Sequence, residues 1–181
     1  MSALPDAPAG IRRVGHKGAA DLVEGNTIAS FERAVEIGVD MIEFDVLRLR
    51  DGAPELPAAD RSPLVVAHDT DDAAARPRLT LDEALDVFTR PPLDRVEIDC
   101  DLKLPGREEE LVAALGDRDL LERAMVSTME LYSLARIKEL EPRLRRGWTY
   151  PELGFAERRT DLGKYGSHSR GYDHHRSRTN G

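Results

Sequence analysis

The sequence is short of cysteine, aromatic residues and long apolar runs, and each shortage excludes a class of protein. Its 181 residues include one cysteine, Cys100, which excludes an intramolecular disulfide framework and favours a reducing compartment. No apolar run approaches the roughly 20 residues of a membrane-spanning helix. The N-terminal segment lacks the basic and apolar regions of a secretory signal. We therefore expect a cytoplasmic protein without stable membrane insertion.

The charge is unevenly distributed along the chain. The 34 acidic and 26 basic residues give a net charge of −8, and an isoelectric point near 5.2 argues against nucleic acid as a partner. Residues 157–181 nevertheless hold six basic and three acidic residues and few apolar side chains. We therefore expect a flexible N-terminus over residues 1–10, one domain over residues 11–156 and a hydrophilic, disordered tail over residues 157–181.

Short β-type runs alternate with helical patterns, which predicts an α/β fold built on parallel strands. The predicted strands cover residues 11–14, 41–47, 64–67, 96–102, 124–127 and 147–150. The predicted helices cover residues 27–37, 80–88, 107–115 and 129–140. The segment 51–63 is rich in proline, alanine and acidic residues, and it is predicted to be an exposed excursion.

Acidic residues alternate with apolar residues along two of the predicted strands. Alternate side chains on a strand share a face, so Glu43 and Asp45 point the same way, as do Asp99 and Asp101. A solvated acidic face is the simpler interpretation for one such strand. Two such strands covered by helices would instead direct the carboxylates inward, where a hard divalent cation is the usual partner.

The domain contains two histidines, and both follow predicted strands. His16 lies in a glycine-flanked turn, and His68 comes directly after the third strand. A histidine at a strand end is most often structural, but the carboxyl ends of strands are where barrel active sites form. Imidazole is also suited to proton transfer near neutral pH. Lys17 and Lys103 could supply positive charge to an anionic substrate, or they could be ordinary surface lysines.

Several short motifs in this order resemble the glycerophosphodiester phosphodiesterase family. They are residues 15–18 (GHKG), 25–27 (GNT), 42–46 (IEFDV), 51–52 (DG), 68–69 (HD), 101–103 (DLK) and 126–128 (VST). The resemblance extends over roughly residues 11–155. Lys17 stands where the family has arginine, and Asp101 stands where it has glutamate. No counterparts of the family's later strands are recognisable.

The resemblance implies a TIM-type (β/α) barrel that is incomplete, with about six of eight strands recognisable. It implies hydrolysis of a small-molecule glycerophosphodiester to glycerol 3-phosphate and an alcohol with one divalent metal, Mg²⁺ or Ca²⁺. By the same resemblance, Glu43, Asp45 and Asp101 would bind the metal. Asp99 lies on the same strand face as Asp101 and is an alternative ligand. His16 and His68 would be the general acid and base, and Lys17 and Lys103 would face the phosphate.

Two other hypotheses remain at the level of sequence. The missing strands and the abrupt change after residue 155 are compatible with a non-catalytic fragment that is inactive alone or stable only through association. A barrel acting on lysophospholipids is a third hypothesis, although no long apolar loop favours it. The sequence leaves the oligomeric state open.

Overall fold

The computed structural model describes residues 10–49 and 63–150, and the described residues up to Thr149 belong to one compact unit. The predicted tail over residues 157–181 lies outside the described residues. Nearly all of the predicted flexible N-terminus and of the excursion over residues 51–63 also lies outside them. These three expectations therefore stay predictions.

A six-stranded sheet forms the centre of the described domain. Its strands are β1 (Val14–His16), β2 (Met41–Leu47), β3 (Val65–Val66), β4 (Glu97–Leu102), β5 (Ala124–Thr128) and β6 (Arg145–Trp148). Five strands are parallel and lie in the order β1-β2-β4-β5-β6, while β3 pairs antiparallel with the end of β2. The helices are α1 (Ile28–Ile37), α2 (Thr70–Ala75), α3 (Leu81–Phe88), α4 (Glu108–Gly116) and α5 (Leu131–Leu140).

The predicted α/β class and the count of six strands are confirmed, but several details of the prediction are wrong. The last strand covers residues 145–148 rather than 147–150. The third strand is antiparallel rather than parallel. The prediction failed because an apolar run of four residues carries no information about strand direction. The first strand begins at Val14 rather than at Ile11, which is 58% exposed. Helix α2 was not predicted, because its six residues contain no apolar periodicity.

The hydrophobic core lies on the face of the sheet that the helices cover. Ile42, Phe44 and Val46 of β2 point into it, and so do Ile98 and Cys100 of β4. The aromatic ring of Phe44 packs against Phe31 of α1 and Phe88 of α3, with ring centroids 5.4–5.7 Å apart. Burial of this face leaves the alternate, mainly acidic residues of β2 and β4 on the opposite face.

Two helices begin with a threonine cap, at the first residues of the helices predicted over 27–37 and 80–88. Thr27 accepts a hydrogen bond from the Ser30 backbone N–H, and the Ser30 hydroxyl accepts one from the Thr27 backbone N–H, so α1 starts with a reciprocal capping box. Thr80 and Glu83 form the same arrangement at the start of α3. Helix α1 ends at Gly38, which adopts a left-handed φ of 94°.

The described sheet is not closed into a barrel. Strands β1 and β6 are at its two ends, and within residues 10–49 and 63–150 they do not pair with each other. A closed parallel barrel would join its first and last strands. The structure is therefore an incomplete (β/α) barrel, as expected. In this part of the chain, none of the helices has the length and apolar character needed to cross a membrane.

Candidate active site

Two rows of carboxylates lie across neighbouring strands on the face opposite the core. In the parallel register between β2 and β4, Asp45 is opposite Asp101 and Glu43 is opposite Asp99. On the other side of β2, His16 of β1 is opposite Glu43. The strict alternation of charged and apolar residues thus brings together four acidic side chains that are far apart in the sequence.

Three of these carboxylates form a compact group. Glu43, Asp45 and Asp101 each offer an oxygen atom within 4.8 Å of the other two. Asp45 is completely buried, and Asp101 is 9% exposed. The alternative ligand Asp99 is not part of this group.

Two lysine ammonium groups lie beside the group of three carboxylates. Lys103 Nζ is 2.5 Å from both Asp45 Oδ1 and Asp101 Oδ2, and Lys17 Nζ is 3.5 Å from Asp45 Oδ2. Burial favours loss of the Lys103 proton, but hydrogen bonds to Asp101 and Asp45 outweigh burial and raise its pKa. The ammonium of Lys103 therefore lies between the two aspartates rather than free in solvent.

Asn26 fixes the orientation of Asp45 through two hydrogen bonds. Its side-chain Nδ2 donates to Asp45 Oδ2 at 2.8 Å, and its Oδ1 accepts from the Asp45 backbone N–H at 3.1 Å. Burial disfavours the charged form of Asp45, yet hydrogen bonds from Lys103 and Asn26 more than offset this cost and lower its pKa. Asp45 is therefore ionised at neutral pH.

Glu43 differs from Asp45 in that its pKa is raised rather than lowered. Burial raises that pKa to about 7, and the charges of Asp45 and Asp101 add to the effect, although the Lys17 backbone N–H donates a hydrogen bond to Glu43 Oε2 at 2.8 Å. With all three carboxylates ionised, the two ammonium groups leave one negative charge uncompensated.

The chemistry of this donor set fits a hard divalent cation. All three candidate ligands supply oxygen atoms, which Mg²⁺ and Ca²⁺ prefer. The Lys103 ammonium lies 2.5 Å from the buried Asp45 Oδ1, so this oxygen is already in contact with positive charge. A bound cation would add a further positive charge to the group.

His16 borders the carboxylate group. It is the last residue of β1, its side chain is 75% exposed, and its Nε2 lies 3.9 Å from Glu43 Oε2. The imidazole is therefore adjacent to the site and accessible to a substrate from solution.

His68 makes its polar contacts with residues outside the carboxylate group. Its side chain is 52% exposed, with Nδ1 3.0 Å from Asp69 Oδ2, and its backbone N–H donates to Asp72 Oδ2 at 2.9 Å. Since β3 is antiparallel, His68 does not follow a strand end in the way that the sequence suggested. In the described chain its hydrogen bonds and ion pairs go to Asp69 and Asp72, not to the carboxylate group.

Sequence reasoning assigned no role to two residues that lie around this site. Asn26 belongs to the GNT motif over residues 25–27. Its place in a glycine-containing turn before a helix is a signal that its side chain bonds to backbone groups. Arg76 lies in a segment without any motif, and its contact with Asn26 depends on tertiary structure. No feature of the sequence alone could have identified it.

Comparison with known proteins shows consistent similarity to one family. Residues 16–71 match the Glycerophosphoryl diester phosphodiesterase family. The chain is 30% identical over 176 residues to a glycerophosphodiester phosphodiesterase of Caldanaerobacter subterraneus subsp. tengcongensis, and the match covers 80% of this chain and 68% of that relative.

Solved structures show the same similarity at the level of the fold. A glycerophosphodiester phosphodiesterase from Parabacteroides distasonis superimposes with a TM-score of 0.62 at 20% identity, covering 86% of this chain and 70% of that one. An Oleispira antarctica phosphodiesterase in complex with sn-glycerol-3-phosphate gives a TM-score of 0.56 at 22% identity, with coverage of 82% and 69%. The chain thus spans about two thirds of each of these relatives.

Proposed function

The chain belongs to the glycerophosphodiester phosphodiesterase family, and from that premise we propose that it hydrolyses glycerophosphodiesters to glycerol 3-phosphate and an alcohol. The family places it among the phosphoric diester hydrolases. The observation that carries the proposal is the group formed by Glu43, Asp45 and Asp101 with two lysine ammonium groups beside it. A small phosphodiester anion is the class of substrate that such a site suits, and the reaction belongs to glycerol and lipid metabolism.

In this proposal the three carboxylates hold one divalent cation, Mg²⁺ or Ca²⁺. When bound, the cation would neutralise charge that develops on the phosphoryl oxygens. Lys17 and Lys103 would attract and orient the phosphate, because both ammonium groups lie at the border of the carboxylate group. Lys103 would have to turn away from Asp45 and Asp101 to make this contact. Asn26 would hold Asp45 in the orientation that binding requires.

Proton transfer in this proposal belongs to the two histidines. One imidazole would remove the proton from the attacking oxygen, and the other would donate a proton to the leaving alkoxide. His16 Nε2 is suited to either role because it is close to the carboxylate group and open to solvent. His68 would reach the substrate from the segment between β3 and α2.

The proposal is tested by measuring release of glycerol 3-phosphate from glycerophosphocholine by the purified full chain. We expect release with added Mg²⁺ or Ca²⁺, loss of release with a chelator, and a decrease of at least about 100-fold in His16→Ala. His168→Ala is the matched control, because it removes a histidine far from the site in sequence. Activity that survives both chelation and His16→Ala would overturn the mechanism.

The open sheet favours a second candidate, a non-catalytic fragment that needs association to become stable. Its basis is that β1 and β6 are unjoined within the described residues and that the chain spans about two thirds of its relatives. A monomeric chain with a cooperative thermal transition and metal-dependent activity would exclude it. Recovery of activity after a full-length family C-terminus is appended to an inactive chain would support it.

A further inference from the structure

Arg76 connects the segment that contains His68 to the rest of the fold. Its Nε and Nη2 atoms donate to the two carboxylate oxygens of Asp72, each at 3.0 Å, so the contact is bidentate. Asp72 in turn accepts a hydrogen bond from the His68 backbone N–H. The same guanidinium approaches the carbonyl oxygen of Val66 in β3 at 3.4 Å.

The remaining nitrogen of the guanidinium contacts the loop that holds Asp45. Arg76 Nη1 donates to the backbone carbonyl oxygen of Asn26 at 2.9 Å. Asn26 has a left-handed φ of 58°, an uncommon conformation for a residue with a side chain, and in it the amide reaches Asp45. One side chain, 10% exposed, thus contacts both the His68 segment and the loop that orients Asp45.

We propose that Arg76 is a positioning residue that sets the His68 segment relative to Asp45. This inference rests on the proposed function, because it assigns Arg76 to the geometry of that same site. Besides Asp72 and Asn26, the guanidinium lies 3.9 Å from Glu24 Oε1, and within the described residues it has no hydrogen bond or ion pair with Asp45 or the His68 imidazole. It therefore acts through Asp72 on one side and Asn26 on the other. A rigid fork with several donors suits this role, whereas the single ammonium group of a lysine cannot span both partners.

The chain offers a matched control in Arg118, which makes comparable contacts far from the site. Arg118 pairs with Asp82 and Asp86 of α3 and donates to the Ala114 carbonyl oxygen. Its side chain is 18% exposed. Arg76→Ala and Arg118→Ala therefore remove similar numbers of ionic contacts, and the comparison separates a general loss of stability from a specific loss of site geometry.

The coupling is tested first without substrate or metal, by hydrogen exchange of single backbone amides in the full chain. The His68 amide donates to Asp72, and the Asp45 amide donates to Asn26. In Arg76→Ala we expect both amides to exchange at least about tenfold faster relative to a β4 reference such as Ile98. Arg118→Ala should leave both ratios within twofold. Faster exchange at His68 alone, or at neither amide, would overturn the proposal.

Activity gives the second readout. We expect Arg76→Ala to lower kcat at least about 30-fold with KM changed less than threefold, and added ethylguanidinium to restore part of the loss. Arg118→Ala should keep kcat within twofold. If the wild-type chain is inactive, the proposed function fails while the exchange experiment still decides the role of Arg76.

If Arg76→Ala does not fold, Arg76→Lys replaces it in the exchange experiment. We then expect faster exchange at one or both of the His68 and Asp45 amides. Unchanged exchange at both amides would overturn the proposal.

Discussion

The two rows of carboxylates on β2 and β4 differ in how their charge is compensated. Asp45 and Asp101 form the outer row, nearer the carboxyl ends of the strands, where they meet Lys103 and Asn26. Glu43 and Asp99 form the inner row, two residues earlier on the same strands and the same face. Interactions lower the pKa of Asp45, whereas burial raises the pKa of Glu43 to about 7 and that of Asp99 to about 6.

The difference shows that residues beyond the strand ends, rather than the strands themselves, supply the compensating charge. Lys17 follows β1 directly, and Lys103 follows β4 directly. Their ammonium groups pair with the outer row, and the inner row gains little from them beyond the Lys17 backbone N–H. The charge of the outer row is therefore partly compensated by the two ammonium groups, while ionising Glu43 or Asp99 of the inner row costs folding free energy when no cation is bound.

The largest effect should come from neutralising the outer row. Asp45→Asn removes the charge of the fully buried carboxylate, and we expect kcat/KM for glycerophosphocholine to fall at least about 1,000-fold. Asp99→Asn in the inner row is the control and should lower it less than about fivefold. Equal losses in the two variants would remove the distinction between the rows.

A smaller effect, on stability rather than activity, should follow loss of the Lys103 ammonium. Lys103→Met leaves Asp45 and Asp101 without their closest cation. We expect the metal-free chain to lose about 2–4 kcal/mol of unfolding free energy. This loss is smaller than for a fully buried ion pair, because the Lys103 side chain is 23% exposed.

Saturating Mg²⁺ should restore part of that stability in Lys103→Met, because a cation bound to the folded state replaces the missing charge. Denaturant unfolding with and without Mg²⁺ makes the measurement. Lys138→Met, on the exposed face of α5, is the control and should change the free energy by less than about 0.5 kcal/mol. A Lys103→Met variant as stable as that control would show that the ammonium does not compensate the outer row.

The smallest effect should be a pH-dependent gain of stability in Asp99→Asn. Burial raises the pKa of Asp99 from 3.8 to about 6, so the folded chain holds the proton more tightly than the unfolded chain. The stability that this bound proton gives to the folded state is fully present below pH 3.8 and is lost as the pH rises through 6. We expect Asp99→Asn to be more stable than wild type by about 1–2 kcal/mol at pH 8.

At low pH, where Asp99 is protonated in both states, the two proteins should be nearly equal in stability. Thermal unfolding from about pH 3 to pH 8 measures the difference. A gain that is constant across this range would mean that packing, rather than ionisation, explains it.

Local patterns predicted the helix starts and the faces of the strands, because those features depend on neighbouring residues. The helix predicted over residues 27–37 is observed as α1, capped by Thr27, and the alternation in β2 correctly placed Glu43 and Asp45 on one face. Strand direction and the contact between Arg76 and Asn26 could not be predicted, because each depends on residues distant in sequence. The assignments of Glu43, Asp45, Asp101, Lys17, Lys103 and both histidines to chemical roles stay predictions.

The first turn of α1 limits how this sequence can vary. The Ser30 hydroxyl that closes the capping box also donates to the Lys17 carbonyl oxygen at 2.9 Å. Gly18 has a φ of 78°, and a Cβ there would lie 2.5 Å from Ser30 Oγ. In a library of all single substitutions, Gly18 and Ser30 should therefore be among the least tolerant positions, although neither is a candidate ligand. Evolution at these positions would have to change the helix start and the turn that contains Lys17 together.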